Sequence, residues 1–105
     1  MVTEINIARD FSKTPVGRYR ADGPYSGEVF REDFLIPSLN RGDVIVVLDG
    51  TDGYPSSFLE EAFGGLLRLN RWTANELLKH LSIRAGSAEY EPYRDRILGY
   101  FGKRR

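Results

Sequence analysis

Two adjacent serines, Ser56 and Ser57, follow an apolar run and a tight loop. The run is Asp43-Val44-Ile45-Val46-Val47-Leu48-Asp49-Gly50, and the loop is Thr51 to Pro55. Phe58-Leu59-Glu60-Glu61-Ala62-Phe63 then begins a helical pattern. A serine at such a junction sits among backbone N–H groups that lack helical partners, at the positive end of the helix dipole. Its Oγ can cap the helix, a contribution of about 1 kcal/mol. It can equally carry a phosphate, which the helix start favours and Glu60 and Glu61 oppose. Ser57 is the first candidate for both roles, and Ser56 the alternative.

Other side chains could act nearby. Asp49 and Asp52 flank Gly50 and Gly53 at the carboxyl end of the apolar run. In open α/β sheets ligands gather at that edge. Asp49 could bind magnesium or position a partner's group, but both aspartates also suit turn stabilisation. No phosphate-cradling glycine pattern accompanies them, and no metal or cofactor is expected. Arg18 and Arg20 precede Gly23-Pro24-Tyr25-Ser26-Gly27 and form a candidate anion site. Their ordinary alternative is solvation or pairing with Asp22 or Glu28. His80 is the only histidine. Any Ser-His-Asp triad would have to use it, yet it falls at a helix end with no helpful neighbour in the chain.

The elements that position these groups follow from periodicity. Glu4 to Ile7 alternate as a strand with one wet face. Phe11 to Tyr25 reads as a long loop, within which Gly17-Arg18-Tyr19-Arg20-Ala21 could form a short extended piece. Ser26 caps the next helix, with Glu28 in its first turn and Pro37 at its end or kink. Val44 to Leu48 is apolar on both faces, which predicts a central strand covered on both sides. Phe58, Leu59, Ala62, Phe63, Leu66 and Leu67 make one helical stripe. Gly64-Gly65 within it costs roughly 1 kcal/mol per residue and implies tight packing on the sheet. Thr73 and Glu76 form a capping box, with Trp72 and Leu77 as its hydrophobic staple. Leu81 to Ala85 alternates as a short strand. Pro92 opens a last helix whose buried face is Tyr93, Ile97, Tyr100 and Phe101. Gly102 to Arg105 reads as a solvated, basic tail.

Bulk composition narrows the classes. The 105 residues suit a single domain spanning 1–105, with 41% hydrophobic and 29% charged residues. Fifteen basic and fifteen acidic residues balance, so the electrostatic footprint of a nucleic-acid binder is missing. With no cysteine there are no disulfides or thiolate metal sites. Met1-Val2-Thr3-Glu4 does not read as a signal peptide, and Val44 to Leu48 is far too short to span a bilayer. A cytoplasmic protein with no nucleic-acid or membrane partner is the expectation.

Three segments resemble the STAS-like domain family of unknown function: Phe11-Ser12-Lys13-Thr14-Pro15-Val16-Gly17-Arg18, Ser26-Gly27-Glu28-Val29-Phe30-Arg31, and above all Ser56 to Gly64. The resemblance covers nearly the whole chain. That family is similar in plan to the sulfate-transporter and anti-sigma-factor-antagonist domains. In the bacterial antagonists an Asp-Ser-Ser-Gly segment follows the central strand, and an anti-sigma kinase phosphorylates its second serine to switch partners. The resemblance places Ser57 on that serine, with Pro55 standing where the antagonists carry aspartate and Phe58 where they carry glycine. It also implies a histidine-kinase-type ATPase as partner.

These readings converge on a small α/β domain: a mixed, mainly parallel four-stranded sheet flanked by about four helices. Its expected role is a non-enzymatic regulatory protein-binding module. The expected partner surface is Asp49, Asp52, Tyr54, Phe58, Glu60 and Glu61 around Ser57. The alternative is a nucleotide or anion held at the same strand edge by the helix start and Arg18 or Arg20. An enzyme would need a general base beside Ser57, for which the chain offers Asp49, Asp52 or the distant His80. An exposed edge strand could also pair with a second copy.

Overall fold

A computed structural model of the chain describes residues 1–102. The basic residues 103–105, most of the expected tail, lie outside the described residues. Strand β1 (Val2–Asn6) is followed by β2 (Asp43–Val47) and β3 (Leu81–Arg84). All pairings are parallel, and the strand order is β1-β2-β3. The central place of β2 agrees with its apolar sequence.

Among the described residues the sheet has three strands, not four. The extended piece around Gly17 to Ala21 does not join it. Gly17 and Arg18 accept instead from the amides of Gly27 and Glu28, and Arg20–Asp22 closes into a 3₁₀ turn. Their backbone groups are therefore committed to the following helix start.

Each β–β connection carries a helical run. The first, α1, is α-helical at Gly27–Phe30, widens into a π-type turn at Arg31–Leu35 and is α-helical again at Ile36–Leu39. Ser26 caps it as expected, its Oγ accepting from Val29 N at 3.3 Å. Pro37 neither ends nor breaks it. The π turn just upstream already gives the Ile36 amide to Arg31 O, a wider ring that relieves the register the proline cannot complete. The second run, α2, has the same plan: Ser56–Leu59, a π turn at Glu60–Gly64, then Gly65–Arg68. Helix α3 (Ala74–His80) carries the predicted reciprocal Thr73–Glu76 capping box. Helix α4 (Glu91–Tyr100) has Pro92 in its first turn and buries Ile97.

The core lies on one side of the sheet. Ile5, Val44, Val46 and Leu81 share that face by register and are buried. Phe30, Phe58, Phe63 and Leu66 pack over them from α1 and α2. Phe30 lies 6.1 Å from both Phe58 and Phe63, centroid to centroid. The opposite face carries Glu4, Asn6, Ile45, Val47, Ser82 and Arg84, none of them buried. The expectation that β2 is covered on both sides is thus corrected. Its reason is topological: neighbouring parallel strands taken in sequence, each joined by a right-handed crossover, deposit every helix on the same face. Only a reversal of strand order sends helices to the other side.

Candidate functional site

The loop after β2 is held from three directions. Tyr54 is buried, and its hydroxyl donates to Leu48 O at 2.7 Å. Tyr90 donates to Thr51 O at 2.6 Å, and the Asp52 amide donates to Lys13 O at 2.8 Å. Burial raises the Tyr54 phenol well above its ordinary value, so it stays a donor near neutral pH. Tyr54→Phe leaves the buried Leu48 carbonyl short of a partner. A loss of about 1–2 kcal/mol is expected in urea unfolding; no change would mean that the loop holds its shape without this bond.

Asp49 does not bond its own turn. Its carboxylate accepts from Gly86 N at 2.7 Å and from Ser87 N at 3.0 Å, tying the β2 loop to the β3 loop. Asp52 is exposed.

The serines do not cap α2. Pro55 occupies the N-cap with φ −60° and ψ 144°, and it offers no side-chain cap. Ser56 and Ser57 are the first two helical residues. Ser56 is exposed, Ser57 half-buried. Among the described residues neither hydroxyl has a hydrogen-bond partner. A proline in front shifts the helix start by one or two residues from the expected boundary, and leaves the first amides of α2 without a capping oxygen.

Behind the serines the polar groups form a network. Glu61 is buried and accepts from Arg31 at 2.7 Å, Arg68 at 3.0 Å and Arg18 at 3.2 Å. Glu60 takes Arg18 and Arg68. Hydrogen bonds from Arg18, against the opposing effect of burial, hold the Glu60 carboxyl below its ordinary range. Arg20 pairs elsewhere, with Asp33 at 3.0 Å. Arg18 and Arg20 therefore do not converge: the two arginines serve different carboxylates, and neither Asp22 nor Glu28 pairs with their guanidiniums. Sequence reasoning missed these pairs because Arg18 and Glu60 stand 42 residues apart. Phe58 is fully buried, and Tyr54 and Glu61 are nearly so, whereas Asp52 is exposed.

The profile of one protein family, described as a STAS-like domain of unknown function, matches residues 26–91. The chain belongs to that family. The match runs from the Ser26 cap to the first residue of α4 and contains β2, its loop and α2. Phe11 to Arg18, quoted above for the resemblance, lies outside it. No curated protein and no solved structure matches the chain.

The STAS-like domain also presents features the sequence did not mark. Beside Pro55 an open cleft is lined by Pro15, Val16, Tyr25, Tyr54 and Tyr93. Val16 and Tyr25 are exposed. Tyr54 and Tyr93 meet edge to face at 5.2 Å. The only hint in the chain was the density of Pro and Tyr in the 11–25 loop. His80 does have a neighbour: its Nδ1 lies 2.7 Å from Asp43 Oδ1. That pair sits at the amino ends of β2 and β3, the opposite edge from Ser57. No helix of the STAS-like domain, among the described residues, is long and apolar enough to cross a membrane.

Proposed function

We propose that this STAS-like domain is a non-enzymatic regulatory protein-binding module. Its working surface is the carboxyl edge of β2: Asp52, Pro55 to Ser57, and the aromatic cleft beside them. The observation that carries this reading is the pairing of an uncapped helix start with exposed apolar groups, Val16 and Tyr25. Such a patch suits a partner's side chains, and the free amides suit a partner's acceptor or a phosphate.

Phosphorylation of Ser57 by a histidine-kinase-type ATPase is the regulatory step we favour. A phosphate adds about −1.5 to −2 charge. It gains from the helix start, and the carboxylates one turn on are already balanced by Arg18, Arg31 and Arg68. In an interface without a cation opposite it, the same charge would expel the partner. Two observations weigh against the other classes. Among the described residues the strand order does not reverse, and it is at such a reversal that open sheets hold nucleotides. Ser57 Oγ has no carboxylate or imidazole hydrogen-bonded to it among the described residues, so no base stands ready to activate it.

The test begins with the chain recovered from its native cells, its intact mass and whatever co-purifies. Ser57→Glu is expected to weaken binding of that partner at least about tenfold while leaving the thermal unfolding midpoint in place. Unchanged affinity would sink the switch. An unmodified chain that brings down no protein would favour a ligand-binding domain instead.

A further inference from the structure

The cleft beside Pro55 is walled by aromatic and proline rings, and of its lining residues only Asp52 is charged at neutral pH. The exposed Asp52 carboxylate accepts no hydrogen bond and joins no ion pair among the described residues. Lys13 is its nearest basic residue in the loop, yet it meets Asp52 only through the backbone, its carbonyl accepting from the Asp52 amide at 2.8 Å. The turn that presents the carboxylate is fixed on both sides. Thr51 O accepts from Tyr90 at 2.6 Å, and Gly53 N donates to Thr51 Oγ1 at 3.2 Å. The Tyr93 hydroxyl rests against Gly53, where an added Cβ would lie 2.8 Å from it. Tyr25 is held too: its ring meets Phe11 edge to face at 5.7 Å, and its carbonyl accepts from Val16 N at 3.0 Å.

We infer that this cleft receives an arginine side chain of a protein partner, an inference that rests on the binding-module reading and names what the module binds. The lining selects the occupant. An apolar side chain that closed the cleft would strip water from Asp52 and leave its charge unpaired. An acidic one would be repelled. A cation on an apolar stem meets both demands, with its methylenes on Pro15, Val16 and Pro55 and its charge at Asp52. The tyrosine rings narrow the choice further. Aromatic faces attract a cation, and a guanidinium stacks on them and gives up water more readily than an ammonium.

Size and rigidity agree with this occupant. The cleft encloses about 470 Å³, room for one long side chain and the backbone that carries it. Its walls are already tied by the bonds to Thr51, Lys13 and Tyr25, so little ordering of the loop is left to oppose binding. Neither Ser56 nor Ser57 lines the cleft. Arginine capture and the serine switch can therefore be tested apart.

The test titrates blocked tripeptides, acetyl-Ala-Arg-Ala-amide and its lysine and citrulline counterparts, into the isotope-labelled full chain and follows the backbone amides by NMR. The arginine peptide is expected to shift Asp52, Gly53 and Tyr54 with a dissociation constant on the order of 1–10 mM. The citrulline peptide, equal in shape but neutral, should bind about threefold more weakly or worse. The lysine peptide should fall between them. Asp52→Asn should remove the difference between arginine and citrulline, and Tyr93→Leu should weaken the arginine peptide about threefold. Asp52 is exposed, so its variant keeps the test readable should Tyr93→Leu fail to fold. No shift at the cleft, citrulline or lysine binding as well as arginine, or an Asp52→Asn chain as competent as wild type overturns the inference. None of those results touches the Ser57→Glu experiment. A native partner that Ser57→Glu releases and Asp52→Asn retains would likewise overturn arginine capture while upholding the binding module.

Discussion

Glu61→Ala is expected to cost about 3–5 kcal/mol of stability, the range for breaking a buried charge pair by removing one partner. The reason is what stays behind. Arg31 is as buried as Glu61, and its Nη1 donates both to Glu61 Oε2 and to the Glu61 carbonyl, each at 2.7 Å. Without the carboxylate, Arg31 keeps only that carbonyl and Glu32 at 2.9 Å. Arg18 and Arg68 also lose an acceptor. Replacing both buried partners, Glu61→Leu with Arg31→Met, should recover much of the loss, because no uncompensated charge remains. Urea unfolding at pH 7 measures both variants. A loss below about 1 kcal/mol for Glu61→Ala would place the pair with ordinary surface bridges.

The same network sets an acid limit. Burial alone would raise the Glu61 carboxyl, but the hydrogen bonds from Arg31 and Arg18 outweigh it and hold the group below its ordinary 4.5. A carboxyl whose folded value is depressed stabilises the fold fully above its unfolded value. That contribution fades as the pH falls through the folded value. Wild-type stability should therefore drop below about pH 4.5, and Glu61→Ala should lack this part of the drop.

Gly27→Ala is the second large effect. A Cβ at Gly27 would lie 2.6 Å from Phe58 O, 2.9 Å from Glu61 Cβ and 3.0 Å from Ala62 N. Two of these are backbone atoms of α2, which cannot rotate away as a side-chain tip can. The helices would have to part where they seat the core phenylalanines. Overpacking of this kind costs about 1–3 kcal/mol, and a backbone obstacle puts Gly27 at the upper end. Gly99, in α4, is the control: an added Cβ meets nothing within 4 Å there. Gly99→Ala should be neutral or stabilising by up to about 1 kcal/mol, from helix propensity alone. Equal effects at the two glycines would mean that the α1–α2 approach is not what Gly27 serves.

Gly27 also marks where close packing escaped the sequence. Gly64-Gly65 was the visible pair, and its expected neighbour was the sheet. The structure instead lays the Arg31 side chain across Gly65, while the close approach to the backbone of the neighbouring helix falls at Gly27. A glycine's backbone cost is local and can be read from the chain. Which neighbour it admits depends on how helices cross, and no short window of sequence encodes that.

Short-range chemistry accounts for the features that could be read from the chain alone. The Ser26 cap and the Thr73–Glu76 box close within three residues, so residue type and spacing suffice. The unbroken apolar run Val44 to Leu48 placed β2 at the centre of the sheet, because an edge position would leave more of it wet. Family membership was legible from the Ser56 to Gly64 segment. The arginine partners of Glu60 and Glu61, the Asp49 bridge to Gly86 and Ser87, the His80–Asp43 pair and the Pro55 cleft were decided only in the tertiary structure. Each joins residues that are remote in the chain, and charge or ring type does not specify which remote partner is met. The bare sheet face belongs with them. Ile45 and Val47 are as apolar as their buried neighbours, and only the strand order left them on the side that no crossover covers.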